Sequence, residues 1–332
     1  MLPIVQTEMT TLLENLRLLE TLVTAPLGLH SDIKMLRQSL PIEGSSDIDA
    51  TALRERRTAV SKSIKDVSSV ALNTIKNISM TLTLLESFKP ESGCDLTTGW
   101  IDRARRILIR SKEKVTSKLR QASVDKMRGV YVIIDPEVTG GRTIFDITES
   151  VLQGGASAIQ YRDKGTDKSR MVKNAIDLQD ICANHDALFI VNDHADIAIL
   201  SNSSGLHIGQ SDLSVENSRV ITNESQIIGK SNNTVEQAIN SQSEAADYLA
   251  IGPVYPTSTM GKNAKHPVGT ETIREVKSRG IPVLVGIGGI TIDNATSVFD
   301  AGADSICVAS AITLADNPET ATQELVNIFQ SK

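Results

Sequence analysis

From Gly129 to the C-terminus, eight short β-branched runs recur, each followed by a stretch of mixed polarity long enough to form a covering helix. This alternation dictates parallel strands, because a strand that returns in the same direction needs a crossover of a dozen or more residues, usually a helix. The runs are VYVII from Val130, AIQY from Ala158, LFIV from Leu188, GLHI from Gly205, QIIG from Gln226, YLAI from Tyr248, PVLVGI from Pro282 and SICVA from Ser305. Eight such units in roughly 200 residues match the lower size limit of a closed (β/α)8 TIM barrel. A doubly wound open sheet is the structural runner-up.

The chain up to about Arg128 reads differently. Its apolar residues recur at helical spacing, with few glycines between them. Leu12, Leu13, Leu16, Leu19 and Val23 form one stripe, and Ile64, Val67, Val70, Ile75 and Ile78 a second that Leu82, Leu85 and Phe88 extend. A third follows at Ile101, Ile107, Val115 and Leu119. LPIEGSSDIDAT and KPESGCDLTTG gather Pro, Gly, Ser and Asp and read as the connecting loops. ENLRLLETLV from Glu14 is echoed by MTLTLLESFK from Met80, as if two similar helices packed together. The expected organisation is an all-α domain over 1–127, of unassigned role, ahead of a barrel over 128–332.

Composition narrows the partners. Lys and Arg number 34 against 40 Asp and Glu, a net charge of −6, and no block of like charge forms an arm for nucleic acid. Cys94, Cys182 and Cys307 lie far apart and in no CxxC arrangement, which supports neither a disulfide framework nor a structural zinc site and points to the cytoplasm. The longest apolar stretches fall well short of the ~20 residues that span a bilayer. MLPIVQTEMT has no basic flank before an apolar run, so no export signal is expected.

In barrels of this kind the chemistry sits at the carboxyl ends of the strands, and polar residues do gather just after these runs. QYRDK offers Gln160, Arg162 and Lys164 in alternation, three donors suited to an anionic oxygen cluster, or simply a solvated strand end. Asp193 follows the third run and Asp212 the fourth. Two carboxylates on neighbouring strands suit Mg²⁺ with a phosphate-bearing ligand, and equally suit helix capping and a turn. His194 and His207 read as structural, since neither is paired with a nucleophile or with metal-ligand spacing. GPVYPTSTMGKNAKHPVG carries Thr257, Ser258 and Thr259, then Lys262 and Lys265, and reads as an active-site loop or a surface excursion. Gly288 and Gly289, with Ala309 and Ser310, stand where many barrels bind phosphate on backbone N–H groups. Jointly these residues describe a pocket for two phosphorylated ligands around a metal ion.

The ordered set QYRDK, ND, HIGQSD, GKS, GPVYPTST, GIGGI and ASAI resembles the thiamine phosphate synthase family, from about Val130 to the C-terminus. The resemblance implies a (β/α)8 transferase that joins 4-amino-2-methyl-5-hydroxymethylpyrimidine diphosphate to a thiazole phosphate and releases diphosphate with Mg²⁺. It assigns Gln160, Arg162, Lys164, Asn192 and Ser231 to the pyrimidine diphosphate, with Arg162, Lys164 and Ser231 catalytic. Asp193 and Asp212 are assigned to magnesium. Thr257, Thr259, Gly289, Ala309 and Ser310 are assigned to the thiazole phosphate, and Ser258 to substrate binding. The implied mechanism is dissociative. Expected partners are the two small-molecule substrates, with self-association as an open question and neither nucleic acid nor membrane involved.

Two positions depart from the family pattern. Met260 stands where relatives carry a lysine, the next being Lys262, and Asn233 stands where relatives often carry a histidine. Met260 keeps alive a noncatalytic barrel that binds thiamine intermediates. Asn233 argues against a thiazole tautomerase-like paralogue, the other alternative. A phosphate-binding isomerase would need an acid and base pair facing the pocket, and none is evident. The helical region is similar to a domain fused ahead of some thiamine phosphate synthases, whose signatures EGLRVLED and EALRVLEE would correspond to ENLRLLET and MTLTLLES. Several of their polar positions are lost, which makes it a packing or oligomerisation module.

Overall fold

Residues 3–22, 30–42, 44–45, 64–88, 98–257 and 266–332 are described by a computed structural model. They divide into two compact units, Met1–Leu119 and Arg120–Lys332.

The first unit contains α1 (Pro3–Leu22), α2 (His30–Gln38), α3 (Ile64–Glu86) and most of α4 (Thr98–Lys126). Leu12, Leu13, Leu16 and Leu19 of α1 share one apolar core with Ile75, Ile78, Leu82 and Leu85 of α3 and with Ile101, Ile107 and Val115 of α4. The two echoed segments fall on α1 and α3, and these helices pack together. Phe88 lies past the end of α3, part-buried, and Leu119 is only half-buried. Helix α2 was marked by no stripe. It brings in Arg37, fully buried, whose Nε donates to Glu20 at 2.6 Å. Val23, the Ile64 side chain, Cys94 and most of the two expected loops lie outside the described residues, while Thr98 and Gly99 of the second loop already belong to α4. The last turns of α4 belong to the second unit, where Arg120 bonds Asp247 at 2.9 Å and Lys126 pairs with Asp186.

In the second unit the strands are β1 (Gly129–Ile134), β2 (Ala158–Tyr161), β3 (Leu188–Asn192), β4 (Gly205–Ile208), β5 (Ile227–Asn232), β6 (Tyr248–Ile251), β7 (Leu284–Ile287) and β8 (Ser305–Val308). Each pairs in parallel with the next and β8 pairs with β1, closing a barrel and excluding the open sheet. The main crossover helices are α5 (Ile144–Gln153), α6 (Lys168–Asn184), α7 (Ala195–Leu200), α8 (Val215–Ile221), α9 (Val235–Ser243), α10 (Gly269–Ser278) and α11 (Ile292–Asp300). A single turn, α12 (Ser310–Thr313), and α13 (Pro318–Gln330) complete the chain. Several of these helices begin where the sequence supplies a capping oxygen, as Thr143 does for the Asp146 N–H and Asp167 for the Arg170 N–H.

The period of two along each strand splits the side chains into two layers. Val130, Val132, Ile159, Phe189, Leu206 and Ile228 face the helices. Tyr131, Ala158, Ile190, Ile227, Tyr248, Val285 and Cys307 fill the barrel, joined by Val124 and Met127 from the end of α4 and its turn. Gly229 makes room for one of them: a Cβ there would sit 1.9 Å from Cζ of Tyr248. Gly229→Ala therefore has to displace that ring. We expect a loss of about 2 kcal/mol, as overpacked cores show, read as a lower urea midpoint at unchanged slope; an unshifted midpoint contradicts this packing.

Cys182 and Cys307 are buried free thiols, and burial pushes Cys182 up to about 12. Among the described residues no helix is long and apolar enough to cross a membrane.

Candidate active site

The first cationic group stands where β1 and β2 end. Beyond Tyr161 the Arg162 N–H still donates to Ile134 O at 3.0 Å, extending the pairing by one residue. Its guanidinium turns back onto the carboxylate of Asp135, just beyond β1 and 5% exposed. Asp163 then tightens the loop, accepting from the Tyr161 hydroxyl at 2.7 Å and from the Gly165 and Thr166 N–H groups at 3.0 Å. Burial works against ionising Asp163, but these donors outweigh it and hold its carboxyl below the ordinary value. Lys164, between them, is exposed and its charge acts on Asp193. Gln160 is buried, its amide nitrogen donating to Tyr131 Oη at 2.5 Å.

Asp193 follows β3 in a left-handed conformation, φ 59°, with its N–H donating to His207 O at 2.9 Å. Asp212 is turned back toward the end of β4 by the Gly209 N–H, which donates to its Oδ2 at 2.7 Å. The two carboxyl groups stand close enough for Asp212 to act on Asp193. Burial first, then the charge and contact of Asp212, push Asp193 up to about 6 against the pull of Lys164 and His194. Paired carboxylates held together in this way fit a divalent cation. The donors are hard oxygens, and one or two carboxylates completed by water and ligand oxygens are the set Mg²⁺ usually takes. Asn192, the last residue of β3, directly precedes Asp193 and is half-buried.

Ser231, on β5, faces His207, whose Nε2 lies 2.8 Å from its Oγ; Gln210 Nε2 donates to the Ser231 carbonyl at 2.6 Å. Burial pulls the His207 imidazole down to about 4, so it is neutral at physiological pH. Its folded value lies below the unfolded 6.5, so the unfolded chain binds the extra proton between those limits, and stability falls as pH drops from 6.5 to 4. Relative to His207→Asn, the wild type is expected to lose on the order of 3 kcal/mol between pH 7 and 4. Parallel denaturation curves for the two proteins would contradict this.

Beyond β6, Thr257 is half-buried, while Ser258, Thr259, Met260, Lys262 and Lys265 lie outside the described residues. Gly288 and Gly289 follow β7, with φ 96° and 66°. A Cβ on Gly289 would meet Pro256 O at 2.5 Å, so this glycine is required for the turn after β7 to lie against the segment leading to Thr257. Ala309 and Ser310 begin the single turn α12 after β8, both half-buried. Asn233 donates its side-chain amide to Gly252 O, joining the ends of β5 and β6.

The described candidates thus share the carboxyl ends of the strands, around one rim. Sequence reasoning missed Asp135, Tyr131 and Tyr248, and treated His207 only as structural. The strand alternation marks Tyr131 and His207 as inward-facing; their partners depend on register across the barrel.

A closed (β/α)8 barrel with an acidic pair, two cationic side chains and a glycine turn at the carboxyl rim defines the class, a barrel enzyme for phosphorylated ligands. Residues 130–312 match the family model described as thiamine monophosphate synthase, over half of the chain. The chain belongs to that family. The thiamine-phosphate synthase of Shouchella clausii is 37% identical over 197 residues, 59% of this chain and 94% of that protein. That of Methanospirillum hungatei is 38% identical over 201 residues, 60% of this chain and 97% of the relative. The solved thiamine phosphate pyrophosphorylase from Pyrococcus furiosus aligns with a TM-score of 0.58 at 32% identity, covering 63% of this chain and 98% of that one.

Proposed function

We propose that the barrel joins 4-amino-2-methyl-5-hydroxymethylpyrimidine diphosphate to a thiazole phosphate, forming thiamine phosphate and releasing diphosphate. The observation that carries this reading is the placement of Asp193 and Asp212 beyond β3 and β4, on the same carboxyl-end rim that bears Arg162 and Lys164 beyond β2. A cationic and metal-ready mouth of this kind suits a departing diphosphate.

Arg162, Lys164, Asn192 and Ser231 bind the diphosphate in this reading, with Gln160 beneath the mouth. Asp193 and Asp212 would hold Mg²⁺. When bound, Mg²⁺ supplies Lewis-acid neutralisation of charge on the leaving oxygens. The carbon–oxygen bond breaks with its electron pair going to the diphosphate, and Arg162 and Lys164 stabilise that growing charge more strongly than they bind the substrate. The lone pair of the thiazole nitrogen then closes the carbon–nitrogen bond. No proton moves, so a neutral buried His207 is no obstacle and no general base is needed. Thr257, Ser258, Thr259, Gly289, Ala309 and Ser310 hold the thiazole phosphate. The region 1–127 is a packing or oligomerisation module, and the compartment is the cytoplasm.

Purified full-length protein incubated with both substrates and Mg²⁺ is expected to yield thiamine phosphate and diphosphate in equal amounts, and neither in excess chelator. Substrate binding without product would instead identify a noncatalytic barrel.

A further inference from the structure

Below Ser231, inside the barrel, an unbroken line of hydrogen bonds crosses from β2 to β5. Gln160 Nε2 donates to Tyr131 Oη at 2.5 Å, Tyr131 Oη lies 3.2 Å from Tyr248 Oη, Tyr248 Oη 3.0 Å from His207 Nδ1, and His207 Nε2 2.8 Å from Ser231 Oγ. Tyr131 and Tyr248 are each 1% exposed and His207 5%. The two phenol rings cross edge to face, 6.3 Å between centroids, and the second fits because Gly229 has no side chain.

We propose that Tyr131, Tyr248 and His207 are positioning residues that fix the Ser231 hydroxyl as a hydrogen-bond donor toward an anionic oxygen of the diphosphate, an inference that rests on the function proposed above. The proton count along the line gives the direction. The Gln160 amide nitrogen can only donate, so Tyr131 accepts from it, and Tyr248 Oη is the one acceptor along the line for the single Tyr131 proton. Tyr248 accepts that proton and sends its own to His207 Nδ1. Burial keeps both phenols protonated. A neutral imidazole that accepts at Nδ1 carries its hydrogen on Nε2, which then donates to Ser231 Oγ. The Ser231 proton is not consumed by the line and remains for a ligand at the mouth. Run in the opposite direction, the same line would take the Ser231 proton into Nε2 and present only lone pairs to the incoming anion. Each bond also polarises the next, so the donor strength of Ser231 depends on groups deeper in the barrel than its own hydroxyl.

The tautomer is measured first, on substrate-free wild-type protein with ¹⁵N-labelled histidine. A pyridine-type Nδ1 and pyrrole-type Nε2 for His207 are expected; the opposite assignment overturns the relay, whether or not the enzyme makes thiamine phosphate. Affinity for inorganic diphosphate with Mg²⁺ is the second readout. Tyr248→Phe removes the proton that pins Nδ1 and is expected to abolish the tautomer preference and weaken diphosphate about tenfold, the equivalent of 1.4 kcal/mol. In a Ser231→Ala background the same change should have no further effect. Unchanged affinity in the single variant, or a full tenfold effect persisting without the serine hydroxyl, overturns the route through Ser231. Failure of the wild type to form product, with the expected tautomer and diphosphate results, would count against the proposed reaction and leave the relay standing.

Discussion

Asp193→Asn is expected to lower turnover by a hundred- to a thousandfold, the usual scale when one preorganised electrostatic group is lost, about 3–4 kcal/mol. The same substitution should make the metal-free protein more stable. Both effects come from one geometry. The Asp193 carboxyl is held near 6, above its ordinary 3.8, by burial and by Asp212. The folded chain therefore binds more protons than the unfolded chain between those values, and ionising Asp193 costs native stability. The cost is absent below about pH 4 and complete above about pH 6. Asn removes it, for a gain on the order of 1 kcal/mol at pH 8 after allowing for solvent screening at a half-exposed rim. Asn is the choice because φ is 59° there and Asn tolerates the left-handed region, whereas Ala adds strain. Steady-state kinetics with Mg²⁺, and urea denaturation at pH 8 and pH 4 without it, check both halves. Retained turnover or a loss of stability at pH 8 would contradict the assignment.

The second large effect is at Arg162. Its removal withdraws a charge from the leaving group and leaves Asp135, buried at the end of β1, with only the Glu137 N–H and no cationic partner. We expect Arg162→Ala to cost about a hundredfold or more in turnover and about 3 kcal/mol in stability, since an unpaired buried carboxylate is expensive. Adding Asp135→Asn should restore most of the stability and none of the turnover. If the double variant recovers activity along with its urea midpoint, Arg162 serves only the fold.

The barrel could be read from the sequence because each strand announces itself locally, and all eight runs became strands. The one appreciable trimming also has a local cause: β7 begins at Leu284, past Pro282, which has no N–H to give to a ladder. The rim was legible for the same reason, as polar residues follow the runs that place them. What stayed hidden depends on register. Asp135 is an ordinary strand-end aspartate until β2 is laid beside β1 and brings Arg162 onto it. Tyr131 and Tyr248 carry no signal of their own inside their runs, and His207 has no sequence partner, because only closure brings the side chains of β1, β4 and β6 across to each other. Gly229 signals a close approach, as glycine in a strand does, without saying that the intruder is Tyr248. Helix α2 stayed hidden because its buried arginine breaks the apolar stripe and finds its partner on α1.

Calorimetric titration of inorganic diphosphate into full-length protein tests the central claim most directly. With Mg²⁺ present, one diphosphate should bind per chain. That binding should be lost in excess chelator, and lost in Asp193→Asn even with Mg²⁺. Equal affinity with and without the metal, or undiminished binding in the variant, would contradict a metal-bearing, cationic mouth that draws diphosphate away.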